Sequence, residues 1–436
     1  MPVKSRCIKF NPNDICSSKY WLPEDVSFDY TYNTNSWFNI DSIYSKCSDS
    51  TKYNESISTS NTRCKMITLY PSIKQKNILL QWGEIFRQIY NLTVTYIENL
   101  PLNDNGKKVI PNMNVIRNNI KKHIYSNNKN LKHLIFKYKY PIQSLSEAVR
   151  DCLKAYKSAF KNLLNKNIKY FRVRYKRKSN HLSTIVINKQ GFSKVENAIL
   201  IKILGVMKSS SSFTGINKDC RIQYNSRTNK FIMFVPYEKV ISTDTTRYEK
   251  CSLDPGMRTF QTVYTPSGNC YEICNSETSN QITNLVDRIH KKDKGNPSGY
   301  KRYRNRLREK LKNKVNDLHW KSARFLCKKF NTIVVGNMST KSIVSNKLNL
   351  QSKTKNQTYS LAHYTFILRL KSKAEEFGCN VIIQDESYSS KTCGGCGNIN
   401  EKLGSSKIFK CPQNKCNFIC DRDVNASRNI LIKSKV

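Results

Sequence analysis

Four cysteines near the C-terminus have the spacing of a metal site. Cys393 and Cys396 form a C-x-x-C pair, fourteen residues separate Cys396 from Cys411, and four separate Cys411 from Cys416. Two close pairs can bring four thiolates to one point, which is the arrangement that tetrahedral Zn²⁺ requires. We expect one structural Zn²⁺ ion here, because all four positions would be filled by protein and none would be left for a substrate.

Two other interpretations of this cluster remain open. Cys420 is a fifth candidate ligand, although the spacing of Cys411 and Cys416 leaves a normal knuckle between them. Alternatively, Cys393 and Cys396 form a redox pair, which would leave the second pair unexplained. The other cysteines are mostly single, as expected of small buried apolar residues.

Acidic residues form the second group with chemical potential. Asp254 ends an apolar strand in Leu253-Asp254-Pro255-Gly256, and strand-end carboxylates in α/β sheets point into ligand crevices. In CDRDVNASRNI (420–430), Asp421 or Asp423 precedes a helix. Phosphodiester hydrolysis by two metals needs at least three carboxylates around two Mg²⁺ ions about 4 Å apart. Each motif alone is weak, but their order, with the cysteine cluster directly before the second, is more specific.

These motifs resemble one family. The chain resembles the TnpB proteins and their eukaryotic or viral relatives, the Fanzor proteins, over roughly residues 62–436. Five segments carry the resemblance: ITLYPSIKQKNILL (67–80), LDPGMRTF (253–260), YSSKTCGGCG (388–397), FKCPQNKC (409–416) and CDRDVNASRNIL (420–431). It implies an RNA-guided DNA endonuclease that cuts beside a short target-adjacent motif, a guide RNA encoded near its own gene, and Asp254 and Asp423 as two of three catalytic carboxylates.

The remaining carboxylate departs from the family pattern. The family usually ends its fourth nuclease strand with a glutamate, whereas this chain has Gly336 there. Glu386 ends the neighbouring parallel strand and could reach across the roughly 5 Å between strands. Such a displaced glutamate is characteristic of Fanzor proteins and their nearest TnpB relatives, so the resemblance favours that group. Asp385 ranks second, because strand alternation points it to the opposite face.

The resemblance also implies a multidomain α+β architecture. A wedge β-barrel holds an inserted helical recognition domain, and a RuvC domain of the RNase H-like α/β fold carries a zinc-finger insertion. The expected boundaries are an N-terminal extension (1–60, loosely ordered), the barrel (61–75 and 165–249), the recognition domain (76–164), the RuvC domain (250–390 and 421–436) and the zinc finger (391–420).

The periodicity of the apolar residues indicates the elements that position these groups. Pro71 opens a helix to about Asn99, and Ser144 with Glu147 matches a capping box that starts another helix at Ser144. Period-two segments between 166 and 248 predict strands of a small β-barrel. After residue 250, strands alternate with helices in an α/β pattern, and the longest helix spans about 300–330.

Positive charge dominates the chain. Lysine and arginine total 75 against 31 acidic residues, a formal net charge of +44. Such an excess favours a nucleic-acid partner, bound through its phosphates. We expect binding residues in the basic and aromatic segment 166–179 and on the long helix, or else ordinary solvated surfaces there. The candidates are Arg172, Arg174, Tyr175, Lys176, Arg177, Arg302, Arg304, Arg306 and Arg308.

No run of residues approaches the roughly 18 apolar residues of a membrane span, and Met1–Phe10 lack the apolar core of a signal peptide. We expect an intracellular protein without a membrane partner, and a monomer on one RNA. Its expected location is the nucleus in a eukaryotic host or its virus, and otherwise the cytoplasm or nucleoid. Two alternatives to a guided nuclease remain: a catalytically inactive RNA-guided DNA-binding protein, and an RNA-independent transposase-like protein.

Overall fold

The computed structural model describes residues 38, 40–44, 60–101, 109–240, 247–293, 301–338, 352–404 and 406–434. The chain divides into two compact units, each with its own hydrophobic core. The middle unit is Thr62–Glu238. The C-terminal unit combines Lys239–Val436 with Met1–Asn61.

Helices in the described part of the middle unit are α1 (Ile73–Glu98), α2 (Met113–Asn127), α3 (Lys129–Lys137) and α4 (Ile142–Leu164). Helix α1 begins directly after Pro71, as the sequence predicted. Ser72 and Gln75 form a reciprocal capping box, in which Ser72 Oγ accepts from Gln75 N at 3.3 Å and Gln75 Oε1 accepts from Ser72 N at 2.8 Å. The apolar face of α1 buries Trp82 and Phe86 completely.

The start of α4 differs from the prediction. The helix begins at Ile142 after Pro141, and Ser144 lies inside its first turn rather than at a capping position. Ser144 is fully buried, and its hydroxyl donates to the carbonyl of Val186 at 2.7 Å. Glu147 pairs with Arg150 instead of reaching back to the helix start. The capping-box prediction at this site was therefore wrong, because the tertiary partner of Ser144 replaced the local one.

The middle unit contains a five-stranded sheet in the order β3-β7-β8-β2-β6. Its strands are β2 (Ser60–Tyr70), β3 (Leu182–Ile187), β6 (Lys208–Ser209), β7 (Cys220–Asn225) and β8 (Lys230–Val240). Within the range where the sequence predicted strands, residues 198–206 form only the short strands β4 (Ala198–Ile199) and β5 (Gly205–Val206). A π-helical turn separates them, and Leu200 and Gly205 adopt positive φ values of 42° and 71°.

The sheet of the C-terminal unit has the order β1-β11-β10-β9-β12-β13. Strands β9, β12 and β13 are mutually parallel, whereas β9, β10, β11 and β1 pair antiparallel in succession. The carboxyl ends of β9, β12 and β13 therefore meet at one edge. The strands are β1 (Ile40–Tyr44), β9 (Tyr248–Pro255), β10 (Gln261–Tyr264), β11 (Cys270–Ile273), β12 (Phe330–Gly336) and β13 (Asn380–Gln384).

Strand β1 comes from the stretch for which the sequence predicted loose order. It pairs with β11 at the edge of the sheet, with Ile40 opposite Ile273. Phe38 and Ile40 are each only 1% exposed and belong to the core of this unit. Burial of these two apolar side chains accounts for an ordered segment in an otherwise polar stretch.

Helices in the described part of the C-terminal unit are α5 (Ser276–Asp293), α6 (Lys301–Lys329), α7 (Ser352–Leu361), α8 (His363–Phe377) and α9 (Arg422–Lys433). Between β13 and α9 lies a small hairpin of β14 (Ile408–Lys410) and β15 (Ile419–Asp421). Helix α6 matches the long helix predicted at about 300–330. It buries Leu307, Val315 and Leu318 and exposes most of its basic residues.

The two faces of this sheet are covered by different helices. Cys251 and Leu253 of β9 pack in a core with residues of α6 and α8. Ser252, between them, faces α9, where its hydroxyl donates to the carbonyl of Ser427 at 2.7 Å. By strand alternation, Asp254 lies on the α9 face.

A search of the described residues found no helix with the length and apolarity needed to cross a membrane.

Candidate functional site

Asp254 lies at the carboxyl end of β9, opposite Thr262 of β10. The strand ends in a tight turn, closed by a hydrogen bond from Gly256 N to the carbonyl of Phe260 at 3.3 Å. A Cβ on Gly256 would lie 2.5 Å from the carbonyl oxygen of Thr259, so this turn requires glycine. The Pro-Gly pair thus ends the strand directly after the carboxylate.

Gly336 and Glu386 are neighbours at the same edge. Strands β12 and β13 pair in parallel with Gly336 opposite Gln384, and Glu386 follows two residues later. A Cβ built on Gly336 would lie 3.0 Å from Oε2 of Glu386, and 3.0 Å from side-chain atoms of Pro255 and Ile430. The carboxylate of Glu386 therefore lies directly beside Gly336, the position at which the family usually has its glutamate.

Asp423 lies in the first turn of α9. Asp421 is the N-cap of this helix, and its side chain accepts hydrogen bonds from Asp423 N at 2.8 Å and Val424 N at 3.3 Å. Of the two aspartates that the sequence left open, Asp421 therefore has the capping role. A carboxylate at Asp423 is favoured by the positive end of the helix dipole.

The charges of these carboxyl groups act on one another. Burial raises the pKa of Asp254 well above its usual value, and the neighbouring charges of Asp423 and Glu386 raise it further. Burial also raises the pKa of Glu386 to about 7, with a smaller contribution from Asp385. Crowded and half-buried carboxyl groups of this kind are stabilised by a bound cation.

Asp385, the second-ranked candidate, points elsewhere. It is exposed, accepts from Ser387 Oγ at 2.8 Å and lies 3.5 Å from the ammonium of Lys433. These hydrogen bonds and the charge of Lys433 lower the pKa of Asp385, which is the opposite of the effect on Glu386. The alternation along this segment thus separates the two acidic side chains as expected.

The sulfur atoms of Cys393, Cys396, Cys411 and Cys416 all lie within 4.8 Å of one another. Two of the separations are 3.8 Å (Cys393 to Cys416) and 3.6 Å (Cys396 to Cys411). A Zn–S distance of about 2.3 Å places tetrahedral sulfurs about 3.8 Å apart, whereas a disulfide needs about 2.05 Å. The arrangement therefore fits a Zn²⁺ ion and not a disulfide.

Cys420 is not part of this cluster. It is buried, and it packs with Phe409 and Phe418 in the small core under the hairpin. Among the described residues, these four cysteines are the only group of three or more potential metal ligands whose ligand atoms lie close together. The carboxylates of Asp254, Glu386 and Asp423 interact electrostatically, but their oxygen atoms do not form such a group. The donor chemistry at the carboxylates, oxygen atoms only, suits Mg²⁺.

Two asparagines of α9 connect the cysteine cluster to the carboxylates. Asn425 is fully buried, accepts from Gly394 N at 3.0 Å and donates to the carbonyl of Thr392 at 2.7 Å. Asn429, one turn later, donates to the carbonyls of Ser389 (2.8 Å) and Thr392 (2.7 Å). The spacing of four residues between these asparagines was the available signal that both lie on one helix face.

The predicted nucleic-acid-binding residues of the middle unit fall into two groups. Arg172, Arg174, Tyr175 and Arg177 are exposed. Lys176 is only partly exposed, and its ammonium already has partners within the protein. Its ammonium lies 3.9 Å from the ring centre of Tyr90 and 3.7 Å from the carboxylate of Asp151. Its place on a nucleic-acid surface stays a prediction, because its side chain is 34% exposed while its ammonium already has these two partners.

Four arginines of α6 were predicted to contact nucleic acid. Arg302, Arg306 and Arg308 are exposed, and Arg304 is half-buried. At about 100° per residue, Arg302 and Arg306 lie on the side of α6 opposite the buried Leu307 and Leu318, so these two can reach a polyanion without disturbing the core.

A family model described as the Cas12f1-like TNB domain matches residues 363–430, which include the cysteine cluster and Asp423. A "TnpB-like protein L79" of Acanthamoeba polyphaga mimivirus is 31% identical over 391 residues, covering 84% of this chain and 72% of that protein. The chain belongs to the TnpB-like family. The resemblance that the motifs predicted is thereby confirmed at the level of the family.

Two further comparisons concern Cas12f proteins. The "CRISPR-associated endodeoxyribonuclease Cas12f1" of Sulfoacidibacillus thermotolerans is 40% identical to this TnpB-like chain over 72 residues, 16% of each protein. The structure titled "Cryo-EM structure of the Cas12f1-sgRNA-target DNA complex" aligns over 86% of this chain and 98% of that one, at 12% identity and a TM-score of 0.38. So low a score adds nothing to the assignment.

Proposed function

We propose that this TnpB-like protein is an RNA-guided DNA endonuclease of the Fanzor group, with Asp254, Glu386 and Asp423 as its catalytic carboxylates. The relatives support the chemistry, since one of them is named an endodeoxyribonuclease. The motif order supports the roles of the two aspartates. The nuclease fold would be that of RuvC, whose expected 250–390 and 421–436 span includes the sheet edge with Asp254 and Glu386 and the helix with Asp423.

The observation that carries this proposal is the position of Glu386. Without it, Gly336 would leave only two carboxylates, and the protein would be expected to bind DNA without cutting it. Because Oε2 of Glu386 lies within 3.0 Å of the place of a Cβ on Gly336, a third carboxylate is present at the same edge. The inactive alternative thus loses its main support.

The three carboxylates would hold two Mg²⁺ ions, which when bound would activate a water molecule and stabilise the charge that develops on the phosphate. The chain supplies the positions. Strand β9 fixes Asp254, the cap at Asp421 fixes the start of the helix with Asp423, and the hydrogen bonds of Asn425 and Asn429 fix the segment after Glu386. Glu386 must be deprotonated to bind a cation, so a pKa of about 7 makes loading pH-dependent.

The remaining parts would hold nucleic acid. The exposed residues Arg172, Arg174, Tyr175 and Arg177 of the middle unit, and the arginines of α6, would contact the phosphates of guide RNA and target DNA. The middle unit would comprise the wedge barrel and the recognition domain. The zinc knuckle would be structural, and one chain would act on one guide RNA encoded near its gene.

The test begins with the RNA that copurifies with the protein. Sequencing should find a discrete RNA from the flank of its own gene, and a DNA target matching that RNA should be cut in Mg²⁺. Asp254→Ala and Glu386→Gln should abolish cutting and retain RNA and DNA binding, whereas Asp385→Asn, at the exposed neighbour, should cut normally.

Two outcomes would contradict the proposal. Cleavage by Glu386→Gln at the normal rate would remove the third carboxylate from the mechanism. Activity that survives RNase treatment of the purified particle would instead support an RNA-independent, transposase-like protein.

A further inference from the structure

Tyr388 lies two residues after Glu386 in an unfavourable backbone conformation. Its φ is +61°, in the left-handed region, and its side chain is 60% exposed. Left-handed backbone is tolerated by glycine, asparagine and aspartate, as at Asn197 and Asn229 of this chain, but rarely by a bulky aromatic residue. Strain of this kind persists only where the surroundings enforce it, and it concentrates at functional sites.

The surroundings of Tyr388 do enforce it. Its carbonyl accepts three hydrogen bonds, from Lys391 N at 3.0 Å, from Thr392 N at 3.0 Å and from Thr392 Oγ1 at 2.9 Å. Asn429 holds the carbonyls of Ser389 and Thr392 on the same turn. The turn is therefore tied to α9, which fixes the backbone of Tyr388 and the direction of its Cα–Cβ bond.

The side chain of Tyr388 makes no hydrogen bond or ring contact with the described residues of the protein. In the part of the chain that the structure describes, the Tyr388 hydroxyl has no hydrogen-bond partner and the ring stacks on no other ring. By contrast, Tyr175 is also exposed but bonds through its hydroxyl to Glu98 at 3.0 Å. A packing role would bury the ring of Tyr388, and a capping role would need its hydroxyl, so neither role explains the residue.

We infer that Tyr388 is a stacking platform for an unpaired base of the DNA strand that is being cut, an inference that rests on the proposed cleavage function. Two residues span at most about 7 Å of backbone, so Tyr388 is attached close in the chain to the carboxylate that would act on the phosphate. An exposed aromatic ring on a fixed backbone presents a flat face to any base, which positions a single strand without reading its sequence. The strand being cut is favoured over the guide because of this proximity to Glu386.

The test uses the full complex of protein, guide RNA and target DNA, with the fluorescent base 2-aminopurine placed beside the cleaved phosphate. Fluorescence is measured on the Asp254→Asn background, which should bind without cutting, and cleavage on the wild-type background. In the first measurement, wild-type Tyr388 and Tyr388→Phe should quench the fluorescence, whereas Tyr388→Leu and Tyr388→Gly should not. In the cleavage measurement, Tyr388→Leu and Tyr388→Gly should cut about 10–100-fold more slowly than wild type, and Tyr388→Phe should cut at close to the wild-type rate. Tyr237→Leu, at another exposed tyrosine, is the control.

A second measurement separates this role from a structural one. Tyr388→Gly should raise the melting temperature of the free protein by about 2–4 °C, because glycine relieves the left-handed strain. A lower melting temperature together with unchanged quenching would overturn the inference, as would equal cleavage by Tyr388→Leu and wild type. Quenching of a label in the guide RNA and not in the DNA would overturn the choice of strand.

The two proposals fail separately. If the wild-type complex cuts but the Tyr388 variants match it, only the stacking inference fails. If the wild-type complex does not cut at all, the proposed function fails, and the fluorescence on bound DNA still decides whether Tyr388 stacks on a base.

Discussion

Glu386 fills the space beside Gly336. Its carboxylate oxygen lies 3.0 Å from the place that a Cβ on Gly336 would occupy, and the parallel register of β12 and β13 holds the two residues at the same sheet edge. A side chain at position 336 would therefore crowd the carboxylate of Glu386. We expect glutamates at positions 336 and 386 to compete for the same space.

This competition predicts a rescue. Glu386→Ala should slow cleavage by about 10²–10³-fold, since it removes one charged group from the site. Adding Gly336→Glu to Glu386→Ala should restore at least about 10-fold of that loss, because the new side chain would start 3.0 Å from the place of the old carboxylate oxygen, with Pro255 and Ile430 shifting slightly to admit it. Single-turnover cleavage with a matched guide measures both. The control is Gly336→Gln in the Glu386→Ala background, and rescue by glutamine equal to that by glutamate would exclude a carboxylate role.

The pKa of Glu386 predicts a pH-dependent stability of the metal-free protein. Its folded-state pKa of about 7 lies above the ordinary value of 4.5, so the folded protein holds this proton more tightly than the unfolded chain does. That contribution to stability is complete below about pH 4.5 and is lost as the pH rises through about 7. Glu386→Gln cannot lose a proton. In EDTA at pH 8, we expect it to be more stable than wild type by about 1–2 kcal/mol, after allowance for solvent screening.

Denaturant unfolding in EDTA at pH 5 and pH 8 measures this difference, which should nearly disappear at pH 5. Asp385→Asn is the matched control, and its effect should have the opposite sign, because the pKa of Asp385 is lowered and its charge stabilises the fold. A constant advantage of Glu386→Gln at both pH values would show that the titration of Glu386 is not its cause.

The cysteine cluster predicts one zinc per chain. Cys411→Ser should lower the bound zinc several-fold and reduce the melting temperature, because the knuckle has little core beyond a few aromatic and cysteine side chains. Cys420→Ser should keep its zinc, since Cys420 lies outside the group of four sulfurs. Metal analysis of the purified proteins by mass spectrometry distinguishes the two. Zinc loss in Cys420→Ser with retention in Cys411→Ser would refute the assignment of ligands.

Asn425 predicts that the knuckle and the cleavage site are coupled. Asn425→Ala leaves the partly buried amide of Gly394 without its side-chain partner and removes one of the two side-chain donors to the carbonyl of Thr392, so stability should fall by about 1–3 kcal/mol. Cleavage should fall as well, with RNA binding unchanged, because Thr392 belongs to the segment that follows Glu386. The exposed knuckle residue Asn414 supplies the control variant Asn414→Ala, which should change neither. Normal cleavage by Asn425→Ala would mean that the knuckle folds independently of the site.

The contacts of Lys176 and the exposure of its neighbour Arg174 give a paired prediction. Arg174→Ala should weaken RNA binding and reduce the salt dependence of the affinity by about one phosphate contact, with unchanged stability. Lys176→Ala should instead lower the stability and leave RNA binding and its salt dependence unchanged, because the ammonium of Lys176 packs on Tyr90 and pairs with Asp151. Binding titrations at several salt concentrations, together with thermal melts, measure both variants. If Lys176→Ala reduced the salt dependence of the RNA affinity at unchanged stability, Lys176 would belong to the nucleic-acid surface.

The sequence by itself determined the features that depend on local spacing. The gathering of the four cysteines follows from two close pairs, and the burial of one face of α1 and of α6 follows from apolar residues three and four apart. The strand that ends at Asp254 follows from an apolar run closed by Pro-Gly. Each of these depends on residues a few positions apart, whose geometry the backbone fixes without reference to the rest of the chain.

Only the tertiary structure decided which distant residues meet. The pairing of β12 with β13 brings Glu386 to Gly336, and α9 brings Asn425 to Gly394 across the knuckle. The same dependence explains the error at Ser144, which bonds to Val186 instead of capping its helix. It also explains why the ammonium of Lys176 packs on Tyr90 although the neighbouring residues are exposed. In each case a partner far away in the chain competes with solvent or with a local contact, and the outcome depends on burial that no local pattern encodes.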